Sequence, residues 1–150
     1  MLKEYKNNFK QQIHDIINCW IYNIEDTLSD DIIDLTNTIL IVTNKFDVVT
    51  KRLDKALTVY KGIDFTKIDY GEEVVFTVKK FFKRYDLDFL LKFKVVKDKG
   101  FKDVKGTYSC VLIYMDQNRF KRWFKEDKVN KLLNKELNNM YRDYNVILLC

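Results

Sequence analysis

Residues 30–62, DDIIDLTNTILIVTNKFDVVTKRLDKALTVYKG, decide how the rest of the chain is read. Ile32, Leu35, Ile39, Val42, Phe46, Val49, Leu53, Leu57 and Tyr60 step by three and four, the spacing of one helical face. This spacing predicts a helix over 30–61. Ser29 is placed as its N-cap, Asp30 and Asp31 complement the positive end of its dipole, and Gly62 is placed to end it. Unbroken, such a helix is about 48 Å long at 1.5 Å per residue. A compact domain of this size is only roughly 38 Å across. Either the helix breaks, around Thr43-Asn44, or the molecule is elongated. The β-branched run from Thr38 to Thr43 competes in the same place and favours a strand.

Upstream, Tyr5, Phe9, Ile13, Ile16, Trp20 and Ile24 predict a first helix from Lys3 to Asp26. Two long helices joined by a short loop form an antiparallel hairpin over residues 1–62, packed on each other. A second helix longer than the domain is wide would also be explained by a homodimer paired through helix 30–61. Downstream, a third helix is expected after Gly71. Glu72 and Glu73 suit its start, Lys79, Lys80, Lys83 and Arg84 its end, and Val74, Val78, Phe81 and Tyr85 its apolar stripe.

The period then changes. Phe89, Leu91, Phe93 and Val95 alternate against Leu90, Lys92, Lys94 and Val96, as in a half-buried strand. Thr107 to Met115 is apolar on both faces and predicts a more interior strand. A glycine-bounded antiparallel connection with a basic tip, residues 97–106, joins the two. Asp116 can cap a helix carrying Phe120, Trp123 and Phe124. Asp127 can cap another carrying Leu132, Leu133, Leu137, Met140 and Tyr144. Val146 to Leu149 returns as a strand in the same small sheet. The order α-α-α-β-β-α-α-β gives an α+β class, with one domain over 1–150 divided into a helical subregion (1–62) and a basic α+β subregion (63–150).

Charge is the most informative functional signal. Residues 1–78 hold nine Lys/Arg against thirteen Asp/Glu; residues 79–150 hold eighteen against nine, within a chain of net +5. The cations fall in three groups: Lys79, Lys80, Lys83 and Arg84; Lys97, Lys99, Lys102 and Lys105; and Arg119, Lys121, Arg122, Lys125 and Lys128. The third group is interleaved with Phe120, Trp123 and Phe124, whose helical spacing suits a core more than a stacking platform. Lysine-rich surfaces attract phosphate backbones by counterion release, and nearby aromatics stack on unpaired bases. Residues 72–115, a helix followed by a basic-tipped hairpin, resemble the winged-helix DNA binders in that part only. The helices before them are far too long for that family, and base-reading Arg, Asn and Gln are scarce in helix three.

Other chemistry lacks its signatures. There is no GxxxxGK[ST], GxGxxG or HExxH. His14 is the sole histidine and reads as structural. Cys19, Cys110 and Cys150 are too far apart in sequence for a disulfide framework or zinc site and are expected as buried, reduced thiols. No cofactor or metal is expected. A weak nuclease pattern, Asp86 and Asp88 before a strand and then Asp103-Val104-Lys105, would use Asp88 and Asp103 to hold a divalent ion and Lys105 to steady the attacked phosphate. No apolar run reaches the ~18 residues of a membrane span, so a soluble, cytoplasmic protein is expected. Abundant Lys, Asn, Ile, Tyr and Phe, with a single Ala and no Pro, match AT-rich coding. That bias fits a phage, plasmid or viral accessory protein in a bacterial or other AT-rich host cell. The leading expectation is a non-enzymatic protein that binds nucleic acid or a nucleoprotein through its basic half. The alternatives are an inhibitor of a host defence enzyme that docks on an acidic protein surface, and the nuclease.

Overall fold

The computed structural model describes residues 2–6, 9–26, 37–104, 108–127, 131 and 143–148. In chain order the elements are β1 (Leu2–Lys6), α1 (Phe9–Glu25), β2 (Asn37–Thr43), α2 (Phe46–Val59), β3 (Asp64–Asp69), β4 (Glu73–Phe82), β5 (Leu87–Lys97), a 3-10 helix (Asp98–Asp103), β6 (Cys110–Met115), α3 (Gln117–Phe124) and β7 (Asp143–Leu148). They build a mixed α+β fold on one seven-stranded sheet, in the order β1-β7-β6-β2-β5-β4-β3. From β1 to β5 neighbours run parallel; β5-β4-β3 is an antiparallel extension.

The 30–61 helix does not exist as one element. The chain breaks at Asn44 and Lys45, and the β-branched run wins as β2. Ile39 to Thr43 are all buried, because β2 lies between β5 and β6 and is covered on both sides. A helix would have hidden only Ile39 and Val42 of these; a doubly covered parallel strand needs the continuous apolar run. Of the seam invoked for a homodimer through helix 30–61, Ile39 and Val42 lie inside the sheet and Val49, Leu53 and Leu57 are buried on α2. After the break the helical period does hold: Val49, Leu53, Ala56 and Leu57 are the buried side of α2.

Three further expectations are corrected. The helix from Lys3 begins only at Phe9, and Leu2–Lys6 pairs in parallel with β7, a partner that no local period reveals. The third helix, with the winged-helix resemblance built on it, is strand β4. Val74, Phe76 and Val78 are buried at period two; Glu73 pairs across strands with Lys94, and Glu72, just before the strand, reaches Lys97. The strands at 87–97 and 110–115 are present, but they are not a hairpin. β2, from the first half of the chain, sits between them and parallel to both. The hairpins are β3–β4 and β4–β5, the latter turned at Lys83–Asp86, with Asp86 in the left-handed region at φ 53°. The segregated helical hairpin of residues 1–62 is thus replaced by helices and strands that share the sheet with residues 63–150. The helix placed after Asp127 falls largely outside the described residues.

The sheet has two unlike faces. On the first, α1 and α2 lie side by side over Ile39, Ile41, Phe76, Leu91, Phe93, Leu112 and Tyr114. His14 Nε2 donates to the Ala56 carbonyl (2.9 Å) and its ring meets Tyr60 edge-on, so this histidine ties α1 to α2. On the second face, α3 and the 3-10 helix bury Phe101, Phe120 and Trp123 against Leu40, Val42, Ile113 and Met115. The second face of β3-β4-β5 is covered only at its Val96 end among the described residues: Val96 is buried there, whereas Val75, Thr77, Lys79 and Phe81 alternate with the buried positions of β4 and stay at least partly exposed.

Candidate nucleic-acid interface

Strand parity sorts the basic half of the chain. On β4 the odd positions face the second side of the sheet, and on β5 the even ones do. Lys79, Lys92 and Lys94 therefore project from the open second face, where register sets Lys79 beside Leu90, Lys92 beside Thr77 and Lys94 beside Val75. Lys80 is on the first side, its ammonium over Phe82. Lys97 also belongs to the first side, over the Phe46 ring and 4.0 Å from Glu72.

Next to the open sheet, the 3-10 helix carries Lys99 and α3 carries Arg119, Lys121, Arg122 and, at its C-cap, Lys125. The sequence placed these side chains correctly: Phe120 and Trp123 are core, with Phe124 packed against them, and Lys121, Arg122 and Lys125 are exposed on the outer side. Asp116 stands at the N-cap as expected, but its carboxylate makes no cap hydrogen bond. Lys79, Lys92, Lys99, Lys121, Arg122 and Lys125 make no ion pair among the described residues.

Arg119 differs from its neighbours. Its Nε is 2.6 Å from Asp98 Oδ2, and Asp98 is nearly buried. The Asp98 carbonyl accepts from Trp123 Nε1 (3.2 Å) and its Oδ1 accepts from the Lys99 amide (3.0 Å). This cluster fastens the 3-10 helix to α3 and sets the direction of Lys99. Lys94 is also engaged, 3.1 Å from Glu73. Burial pulls its pKa down, but Glu73 and Tyr108 outweigh that and hold it above the ordinary lysine value.

The remaining predicted residues do not converge here. Lys83 and Arg84 lie in the β4–β5 turn, where Arg84 donates to the Glu25 carbonyl and stacks on Tyr85. From that turn to Lys97 the chain runs the length of β5, about 33 Å. Asp88 stands at the start of β5 and Asp103 at the end of the 3-10 helix. Lys105 and Lys128 lie outside the described residues, as do the side chains of Lys102 and Asp103. Cys19 is exposed rather than buried and Cys110 is half-buried; both are free thiols. No helix among the described residues is long and apolar enough to cross a membrane.

One constellation corresponds to no sequence motif. At the carboxyl ends of β2 and β6, where one chain turns to the first face and the other to the second, Lys45 Nζ is 3.4 Å from Asp116 Oδ1 and Asn44 Nδ2 donates to Asp116 Oδ2 (3.3 Å). Such switch points are where open α/β sheets hold ligands. Here they border a cleft of about 660 Å³ lined by Lys45, Lys97 and Lys99, and by Asp47, Glu72 and Asp98. Its three cations are matched by three carboxylates. An apolar strand ending in Asn-Lys, and another ending in Asp, are the sequence traces of this junction.

No protein-family model matches the chain, and no curated protein sequence is significantly similar. Among solved structures the fold is similar to the large terminase ATPase domain of Thermus phage P74-26, with a TM-score of 0.51 and 6% identity over 98% of this chain. An arginine-to-alanine variant of that domain gives 0.49 and 7% over the same share. This chain spans 58% of the length of either domain. The first likeness establishes the fold alone.

Proposed function

We propose that this chain is a non-enzymatic binding protein of phage, plasmid or viral type that engages nucleic acid, free or within a nucleoprotein, through the second face of its sheet. One observation carries the reading. Lys79 and Lys92 stand on the second face, Lys121, Arg122 and Lys125 on the helix side that packs over it, and none makes an ion pair with a described carboxylate. Cations so arranged release counterions from a phosphate backbone, and each contact adds about 0.7–0.9 to the slope of log affinity against log salt. The fold likeness to a phage ATPase domain supports the phage assignment. No glycine-rich phosphate loop accompanies it, which favours binding over hydrolysis.

Affinity for DNA and RNA is measured by fluorescence anisotropy across a salt series. Binding is expected to fall steeply with salt. The combined change of Lys121, Arg122 and Lys125 to Gln is expected to lower the slope by about two. Undetectable binding at low ionic strength removes the proposal; a partner recovered from nuclease-treated host lysate would then favour the acidic-protein reading.

A further inference from the structure

The open second face of β3-β4-β5 is unusual in what it exposes. Three of the large apolar side chains left in solvent gather on it: Ile68, Tyr70 and Phe81 are 49%, 60% and 51% exposed. Register arranges them in rows. Ile68, Val75 and Lys94 form one; Thr66, Thr77 and Lys92 the next; Asp64, Lys79 and Leu90 a third; Phe81 and Asp88 close the far end. Tyr70 stands at the near end, where it lines a groove of about 480 Å³ with Lys94, Val96 and Val104, between the sheet and the 3-10 helix. Rows two residues apart are about 7 Å apart, so the platform from Tyr70 to Phe81 is roughly 27 Å long.

Resting on the nucleic-acid reading above, we infer that the ligand of this face is a single strand, laid along the platform with bases on Tyr70, Ile68 and Phe81 and phosphates beside Lys79 and Lys92. A duplex hides its base faces and gains nothing from an exposed ring on a flat sheet, whereas unpaired bases stack on aromatic side chains without sequence preference. Lys92, set in register between Thr77 and Thr38, and Lys79, set between Leu90 and Asp64, supply the charge for the accompanying backbone; neither makes an ion pair among the described residues. A major-groove reader would instead present a protruding helix with Arg, Asn or Gln on its exposed face. Neither Lys79 nor Lys92 stands on a helix.

The test titrates the full chain with labelled thymidine and uridine oligomers and with a duplex of equal length, at low salt. The single strands are expected to bind at least tenfold more tightly than the duplex. Phe81→Ala and Tyr70→Ala are each expected to weaken single-strand binding roughly 5- to 150-fold without changing the salt slope. Lys92→Gln is expected to lower that slope by about 0.7. Both aromatic side chains are largely exposed, and an unchanged circular dichroism melt confirms that the variants fold. Equal or tighter duplex binding, or full affinity in both aromatic variants, overturns the platform and leaves the basic-face proposal standing. Failure of every probe to bind overturns both.

Discussion

The hydroxyl of Tyr114 is buried, its ring packed on Phe9 of α1 at 4.6 Å, and it has no hydrogen-bond partner among the described residues. Burial pushes its pKa well above 10, and a weaker effect of the same kind acts on Tyr60. The sign of the consequence follows from linkage. The unfolded phenol loses its proton as pH passes about 10, while the folded one keeps it, so stability is intact below that pH and falls above it. Lys94, held above its ordinary value by Glu73 and Tyr108, acts in the same direction from about pH 10.5. Urea midpoints measured from pH 8 upward are expected to be flat and then to drop. Tyr114→Phe removes an unsatisfied polar group. It is expected to raise stability near neutrality by about 1 kcal/mol and to make the alkaline drop shallower. A midpoint lowered by the substitution would show that the hydroxyl has a partner after all.

At the scale of elements, α3 is a short helix held by one cluster. Its apolar side is Phe120 and Trp123, and its polar attachment to the 3-10 helix is Arg119 on Asp98. Removing one partner of a nearly buried pair leaves the other charge uncompensated. Arg119 keeps a quarter of its side chain in solvent, so Arg119→Met is expected to cost about 3 kcal/mol, the low end for such pairs. Adding Asp98→Asn to it is expected to recover most of that loss in chemical denaturation. A double variant no better than the single one would argue against a charge origin. The elements also show where periodicity misleads. Val74, Val78 and Phe81 fit a helical stripe, yet Val74, Phe76 and Val78 fit an alternation equally well. In a short run rich in Val, the sheet partner β5 decides between them.

Across the whole molecule, protection should follow strand order. β2 lies between two strands with both faces covered, and β3 is an edge strand that is largely exposed. Amides of Leu40, Ile41 and Val42 are expected to exchange with solvent at the rate of global unfolding. Amides of β3 that point away from β4 are expected to exchange orders of magnitude faster. Slow exchange along the whole of β3 would mean that another chain covers the edge.

Much was legible in the residues themselves. The break at Thr43-Asn44, the strand from Phe89 to Val96, the interior strand ending at Met115 and the core role of Phe120 and Trp123 all rest on local signals: β-branching, alternation and helical spacing, which neighbouring residues along the chain determine. The charge asymmetry beyond position 78 was legible for the same reason. The tertiary structure alone decided that β2 enters between β5 and β6, that residues 73–82 form a strand, and that Lys79 and Lys92 face the side of the sheet that α3 covers while Lys80 and Lys97 do not. Pairing between segments distant in the chain leaves no periodic trace in either one. Which side of a sheet a lysine occupies is a matter of register, fixed only once its strand has a partner.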